Sequence, residues 1–219
     1  MIPALFVCLV FMLGGIAGGV LQRWLWRHLP QLGEAPPPGL AADIGTSVAT
    51  AVATAGAAAM GGATWSGLAY CIFALFAVQI AVVDWRSSLI PNILVIPAAI
   101  VGLGLLLLAA LTEGRWDDLI RGAAGASGLF LAYLILALVS PTGLGMGDVK
   151  LAASVGLYLG FQSWTALILG AAAGFIIGAC VSLVLLAFRR AKLRTNVPFG
   201  PSMLAGTALV LVAAGLAAG

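Results

Sequence analysis

The chain has 219 residues, of which 63% are hydrophobic and only 8% charged, against about 25% charged in an ordinary soluble domain. So few charges cannot cover a water-facing surface, which excludes a soluble enzyme, a nucleic-acid-binding domain and a disordered protein. The net charge of +3 is therefore a topology signal and not a nucleic-acid footprint.

Taken in chain order, apolar runs separated by polar or proline-containing breaks predict eight spans, at residues 3–21, 44–62, 66–83, 93–111, 119–139, 149–161, 164–188 and 199–218. The expected fold is all-α, a polytopic transmembrane bundle forming one integral membrane domain over residues 1–219. The second run is mostly Ala, Gly and Thr. The sixth is short for a bilayer, and a count of seven results if it continues into the seventh. The first run has no basic residues before it, and its first charges, Arg23 and Arg27, follow it; that order predicts a retained span and not a cleaved signal peptide. The longest polar loop, 31–43, contains Pro36, Pro37 and Pro38 and is too short to be a domain.

With the N-terminus outside, the inner loops hold Arg23, Arg27, Arg86, Lys150, Arg189, Arg190, Lys192 and Arg194, and the outer side only Arg115 and Arg121. That asymmetry selects the N-out orientation. Trp24, Trp26, Trp65, Trp85, Trp116 and Trp164 all fall at predicted span ends, where an amphipathic ring belongs. Gly14 and Gly18, Gly15 and Gly19, Gly156 and Gly160, and Gly170, Gly174 and Gly178 recur at four-residue spacing and mark faces for close helix approach. Cys8, Cys71 and Cys180 lie in apolar runs, odd in number and widely spaced, so they are read as small core residues and not as a disulfide or zinc framework.

Seven acidic residues remain to be placed. Glu34 and Asp43 fall in the first loop, and Glu113, Asp117 and Asp118 in one outer loop, where solvation suffices. Asp84 and Asp148 differ: each edges a long apolar run. An ionisable group at membrane depth costs about 2.5–3.5 kcal/mol on insertion scales and is functional by default. In the N-out topology Asp84 ends the third span and Asp148 begins the sixth, at one membrane depth on the cytoplasmic side. Two facing carboxyls divide into one ionised and one protonated, and such a pair hydrolyses peptides by drawing a proton from water and donating one to the carbonyl oxygen. The plainer alternatives are a helix N-cap for Asp148 and an ion pair with Arg86 for Asp84.

The flanking residues favour the pair. After Asp84 the segment Trp85-Arg86-Ser87-Ser88-Leu89-Ile90-Pro91-Asn92 breaks the helix and returns the chain to the membrane. Before Asp148, Gly145 and Gly147 permit backbone geometries closed to other residues and let another segment approach. Irregular backbone at this depth lines a cavity.

These blocks resemble a known family. Asp84 with Ile90-Pro91-Asn92, then Gly145-Met146-Gly147-Asp148-Val149-Lys150-Leu151, then Pro198-Phe199-Gly200-Pro201 look like the prepilin peptidases, GxGD-type intramembrane aspartic proteases. The resemblance runs from about residue 81 to 206. It implies that Asp84 and Asp148 are catalytic. It implies that Pro91, Asn92, Gly145, Gly147, Lys150, Pro198, Gly200 and Pro201 shape the site or meet substrate. It further implies a multi-pass protein of the inner (cytoplasmic) membrane, with its active site facing the cytoplasm. The substrate would be a prepilin or pseudopilin precursor, cut after a Gly to remove a short basic leader. Larger members carry a cytoplasmic insert, often with Cys-x-x-Cys motifs, and also methylate the new N-terminus. This chain has no Cys-x-x-Cys and only a brief loop there, like the minimal peptidases of Flp-type pili. No cofactor is expected, S-adenosylmethionine being tied to that second activity.

Three rival readings exist. Gly125-Ala126-Ser127-Gly128 spells the GxSG of rhomboid serine proteases, but the single histidine, His28, lies at the end of the first span, and Ser127 is read as a packing residue. A proton-coupled small transporter would also use Asp84 and Asp148 beside broken helices. A structural subunit of a secretion system would need neither. A His-Glu-x-x-His metalloprotease is excluded by sequence.

Overall fold

Among the described residues eight helices follow one another where the apolar runs predict them: α1 (Ile2–His28), α2 (Leu40–Gly61), α3 (Trp65–Ser87), α4 (Asn92–Glu113), α5 (Trp116–Val139), α6 (Met146–Gln162), α7 (Trp164–Ala187) and α8 (Gly200–Ala218). The structure is a computed structural model that describes residues 2–29, 39–140, 144–188 and 198–218, and all regular structure among them is helical. Glu34, Pro36, Pro37, Pro38, Arg189, Arg190, Lys192 and Arg194 lie outside the described residues. Trp65, Trp116 and Trp164 begin their helices, Trp85 sits in the last turn of α3, and Trp24 and Trp26 lie in the last two turns of α1.

Seven of these helices are long and apolar enough to cross a membrane. The exception is α6, with 17 residues, about 25 Å at 1.5 Å per residue against a hydrocarbon core of about 30 Å. It does not continue into α7. Ser163 is extended (φ −173°, ψ 164°), and its hydroxyl accepts the Ala166 N–H at 2.9 Å, starting a new helix. A short helix is tolerated here because α4, α5, α7 and α8 surround it. Val149, Leu151, Ala152 and every residue from 154 to 161 are buried, so α6 meets protein where the others meet lipid.

Lipid tails are as apolar as Leu, so helix association in a membrane depends on close packing. The glycine faces supply it. A Cβ added at Gly18 would lie 2.7 Å from the Thr50 Cβ, which brings α1 against α2, and one at Gly125 would lie 2.5 Å from the Gly156 carbonyl oxygen, bringing α5 against α6. Gly170, Gly174 and Gly178 of α7 abut Leu159, Met203 and Phe199. Ser127, by contrast, is exposed on α5 with its hydroxyl on the Ala123 carbonyl at 2.9 Å; the close contact belongs to Gly125, two residues earlier. The cysteines also divide: Cys71 is buried, but Cys8 and Cys180 are exposed. An apolar run does not tell a lipid-facing position from a core one.

Three acids expected to be merely solvated have defined partners. Asp43 belongs to the first turn of α2 and accepts from Arg23 Nε at 3.3 Å. Glu113, ending α4, accepts the Trp65 N–H at 3.0 Å and the Ser66 hydroxyl at 3.1 Å, capping α3. Asp118 binds both Arg115 and Arg121, and Arg121 in turn donates to the carbonyls of Gly160 (2.6 Å) and Phe161 (2.8 Å). Those are orphan acceptors at the C-terminus of α6. Asp117 is exposed, as a solvated acid should be. Arg121→Ala leaves buried carbonyls unpaired, a loss of about 1–3 kcal/mol. A lower thermal midpoint in detergent is expected, with Arg121→Lys recovering only part of it because an ammonium lacks the guanidinium fork.

Candidate active site

Alternation of direction brings the C-terminal ends of α3, α5 and α7 to the same end of the bundle as the N-terminal ends of α4, α6 and α8. Asp84 and Asp148 both lie there, one in the last turn of α3 and one in the first turn of α6.

Asp84 is 3% exposed. The helix that carries it ends at Ser87, and Ser88 adopts the left-handed conformation (φ 51°, ψ 33°), its N–H donating to the Asp84 carbonyl at 2.8 Å. Pro91, buried and extended (φ −67°, ψ 135°), then sets the chain into α4. The expected helix break is therefore present. The Asp84 carboxyl accepts from the N–H of Gly200, the first residue of α8, at 3.0 Å. A helix N-terminus is a natural anion donor. Arg86 is not its partner: the guanidinium lies over the Trp26 ring, 5.5 Å from the centroid.

Asp148 is not an N-cap residue. That position is Gly145, and Asp148, three residues on, reaches back so that its Oδ2 accepts the Gly145 N–H at 3.0 Å, the reciprocal arm of a capping box. Its Oδ1 is buried without a partner. One oxygen thus holds the helix start while the other has no donor. Asp148 thus opens α6 at the end of the bundle where Asp84 closes α3 and where α5 ends soon after Tyr133.

Of the two roles expected of the glycines, special backbone geometry is absent and close approach is present at Gly147. Gly145 is in ordinary extended backbone (φ −82°, ψ 156°), and only Gly62 and Gly114 among the described glycines have positive φ. Gly147 is needed for proximity: a Cβ there would stand 2.8 Å from the Ile90 Cβ. At Gly145 the nearest atom to an added Cβ is Asp148 Oδ2 at 3.4 Å, an ordinary contact. Gly145→Ala should consequently keep precursor cleavage within about threefold of wild type, because a Gly→Ala change at a compatible φ/ψ shifts stability by ~1 kcal/mol or less.

The remaining predicted site residues also gather here. Lys150 Nζ donates to Asn92 Oδ1 at 2.9 Å, tying the first turn of α6 to that of α4. Pro198 and Phe199 lead into α8, and Pro201 is its second residue. Phe199 packs against Phe175 and Tyr133, with ring centroids 5.3 and 6.1 Å away. Pro201 joins Ala81, Val82, Trp85 and Arg86 around a cleft of about 250 Å³ beside the Asp84 turn. Sequence reasoning gave no role to Ile90, Tyr133 or Phe199; the first and last stood inside quoted motifs, which was the available signal. Ser127 and His28 form no site, since the hydroxyl bonds within α5 and the imidazole stacks on Trp24 at 5.1 Å.

Residues 71–188, more than half of the chain, match the type IV leader peptidase family. The chain belongs to this family. Curated relatives include proteins named prepilin leader peptidase/N-methyltransferase from Burkholderia pseudomallei (32% identical over 156 residues, 67% of this chain and 47% of the relative). Others are from Pseudomonas aeruginosa (31% over 142 residues, 64% and 47%) and Escherichia coli K12 (33% over 142 residues, 64% and 60%). The chain spans about half the length of the curated relatives it matches. No solved structure matches it at a significant level. Within the leader peptidase match lie Asp84, Pro91, Asn92, Gly145, Gly147, Asp148 and Lys150, whereas Pro198, Gly200 and Pro201 lie beyond it. The Gly200 N–H on Asp84 and the Phe199 ring on Phe175 and Tyr133 join this third block to the family's portion. Membership and the apolar helices together make the chain a multi-pass membrane protein.

Proposed function

We propose that this leader peptidase family member is a membrane-embedded aspartic endopeptidase. It removes the short basic leader of type IV prepilin-like precursors, of the Flp type, at the cytoplasmic face of the inner membrane. The observation that carries the reading is that a buried Asp84, held by the Gly200 N–H, lies at the same end of the bundle as an Asp148 whose Oδ1 has no partner. The family supplies the reaction class.

In the proposed reaction the ionised member of the pair takes a proton from a water molecule, whose oxygen attacks the scissile carbonyl. The protonated member donates to the carbonyl oxygen. Collapse of the tetrahedral intermediate expels the amine, which takes up a proton, and the pair returns to one proton shared between two carboxyls. The two titrate as a unit, so neither is singled out as base. The reading covers cleavage alone and invokes neither a metal nor S-adenosylmethionine. N-out topology places Arg23, Arg27, Arg86 and Lys150 on the cytoplasmic side with the aspartates.

The test is cleavage of a synthetic precursor, with a basic leader, a junctional Gly and an apolar helix, by the purified chain in detergent micelles without any ion gradient. Two separate products are expected, a basic leader ending in the Gly and the remaining apolar helix. A chain that cleaves nothing in micelles but accumulates a solute in sealed vesicles would establish the proton-coupled carrier instead.

A further inference from the structure

The turn between α3 and α4 contributes one side chain that reaches both other blocks of the site. Ile90 is half-buried and packs against the core, while its neighbour Leu89 is 48% exposed. On one side, a Cβ at Gly147 would lie 2.8 Å from Ile90 Cβ and 3.5 Å from Cγ1; on the other, a Cβ at Gly200 would lie 3.1 Å from Ile90 Cδ1. Each glycine therefore presents its bare Cα to the same isoleucine. Gly147 precedes Asp148, and Gly200 donates to Asp84.

Ile90 is also stiff. A β-branched side chain has few χ1 choices, and the following Pro91 holds the backbone of residue 90 away from helix. We infer that Ile90 is a positioning residue, a rigid spacer whose branched side chain sets the gap between the helix start bearing Asp148 and the helix start that holds Asp84. The inference rests on the peptidase reading, because the gap matters only if both carboxyls address one peptide bond.

The experiment measures kcat and KM for the synthetic precursor in micelles, per folded molecule. Ile90→Ala removes Cγ1, Cγ2 and Cδ1; kcat should fall on the order of 10²-fold with KM within about twofold, as for a misplacement near 1 Å. Ile90→Val, which lacks only Cδ1, should lose about tenfold or less by the same reasoning, and it carries the test if Ile90→Ala does not fold. The reciprocal variant supplies a readout that general packing would not move. Gly147→Ala places a methyl against Ile90 Cβ, and adding Ile90→Gly removes the opposing atom. The double variant should lose at least about tenfold less kcat than the product of the Gly147→Ala and Ile90→Gly losses, the non-additivity of residues in contact. A wild-type chain that cleaves beside an Ile90→Ala chain (or, if that does not fold, an Ile90→Val chain) of equal kcat overturns the spacer alone, and so does a double variant whose loss is the plain product of the Gly147→Ala and Ile90→Gly losses. A wild-type chain that cleaves nothing overturns the peptidase reading and the spacer with it.

Discussion

Asp84→Asn and Asp148→Asn are each expected to reduce precursor cleavage by at least about 10³-fold, within the range for removal of a general acid or base, with little change in thermal midpoint. The structural half of the prediction follows from the hydrogen bonds. Asn keeps a carbonyl oxygen in the place of one carboxyl oxygen, so the Gly200 N–H retains an acceptor at residue 84 and the Gly145 N–H one at residue 148. What Asn cannot do is exchange a proton. In the proposed mechanism the two carboxyls act as one unit, so the double variant should be hardly slower than either single one. Cleavage rates and thermal midpoints measured on the same purified samples check both halves. Undiminished cleavage in either folded single variant would remove that aspartate from the mechanism.

The second large effect is expected at a residue that carries no chemistry. Gly200→Ala would set a Cβ 2.7 Å from Asp84 Oδ2 and 3.1 Å from Ile90 Cδ1. Asp84 is buried on a helix turn and cannot withdraw, so the start of α8 must shift and its N–H must leave the carboxyl. A displacement of several tenths of an ångström to about 1 Å at a catalytic group can cost 10²-fold in rate, and that loss is expected in kcat, with α8 still folded. Gly147→Ala should behave alike, since the atom it meets is the branched Cβ of Ile90. Gly145→Ala, in the same motif, should not. Equal rates for Gly200→Ala and wild type would show that Asp84 works without its backbone donor.

Hydropathy alone locates the eight helices of the described residues, because the bilayer demands long apolar runs and polar or proline-containing breaks separate them. The ends are less legible. The first run reads as 3–21, yet α1 continues to His28: Arg23 and Arg27 interrupt the apolar character without interrupting the helix, and no proline intervenes before residue 30. At the site, Asp84 and Asp148 stand out because so few charges adjoin apolar runs. Their partners do not, because the Gly200 N–H on Asp84 spans 116 positions and the Lys150–Asn92 bond 58. No local pattern encodes such pairings. The same holds for Arg121, which reads as a loop cation until its guanidinium is seen against the carbonyls of Gly160 and Phe161.

That clamp has a mechanical consequence. Arg121 fixes the end of α6 farthest from Asp148, making the helix a lever with its fulcrum at the opposite end of the bundle. Over a rod of about 25 Å, a rotation of about 2° carries the Asp148 end through ~1 Å. Anything that slackens the fulcrum therefore reaches the aspartates by leverage, through a helix whose length multiplies the disturbance.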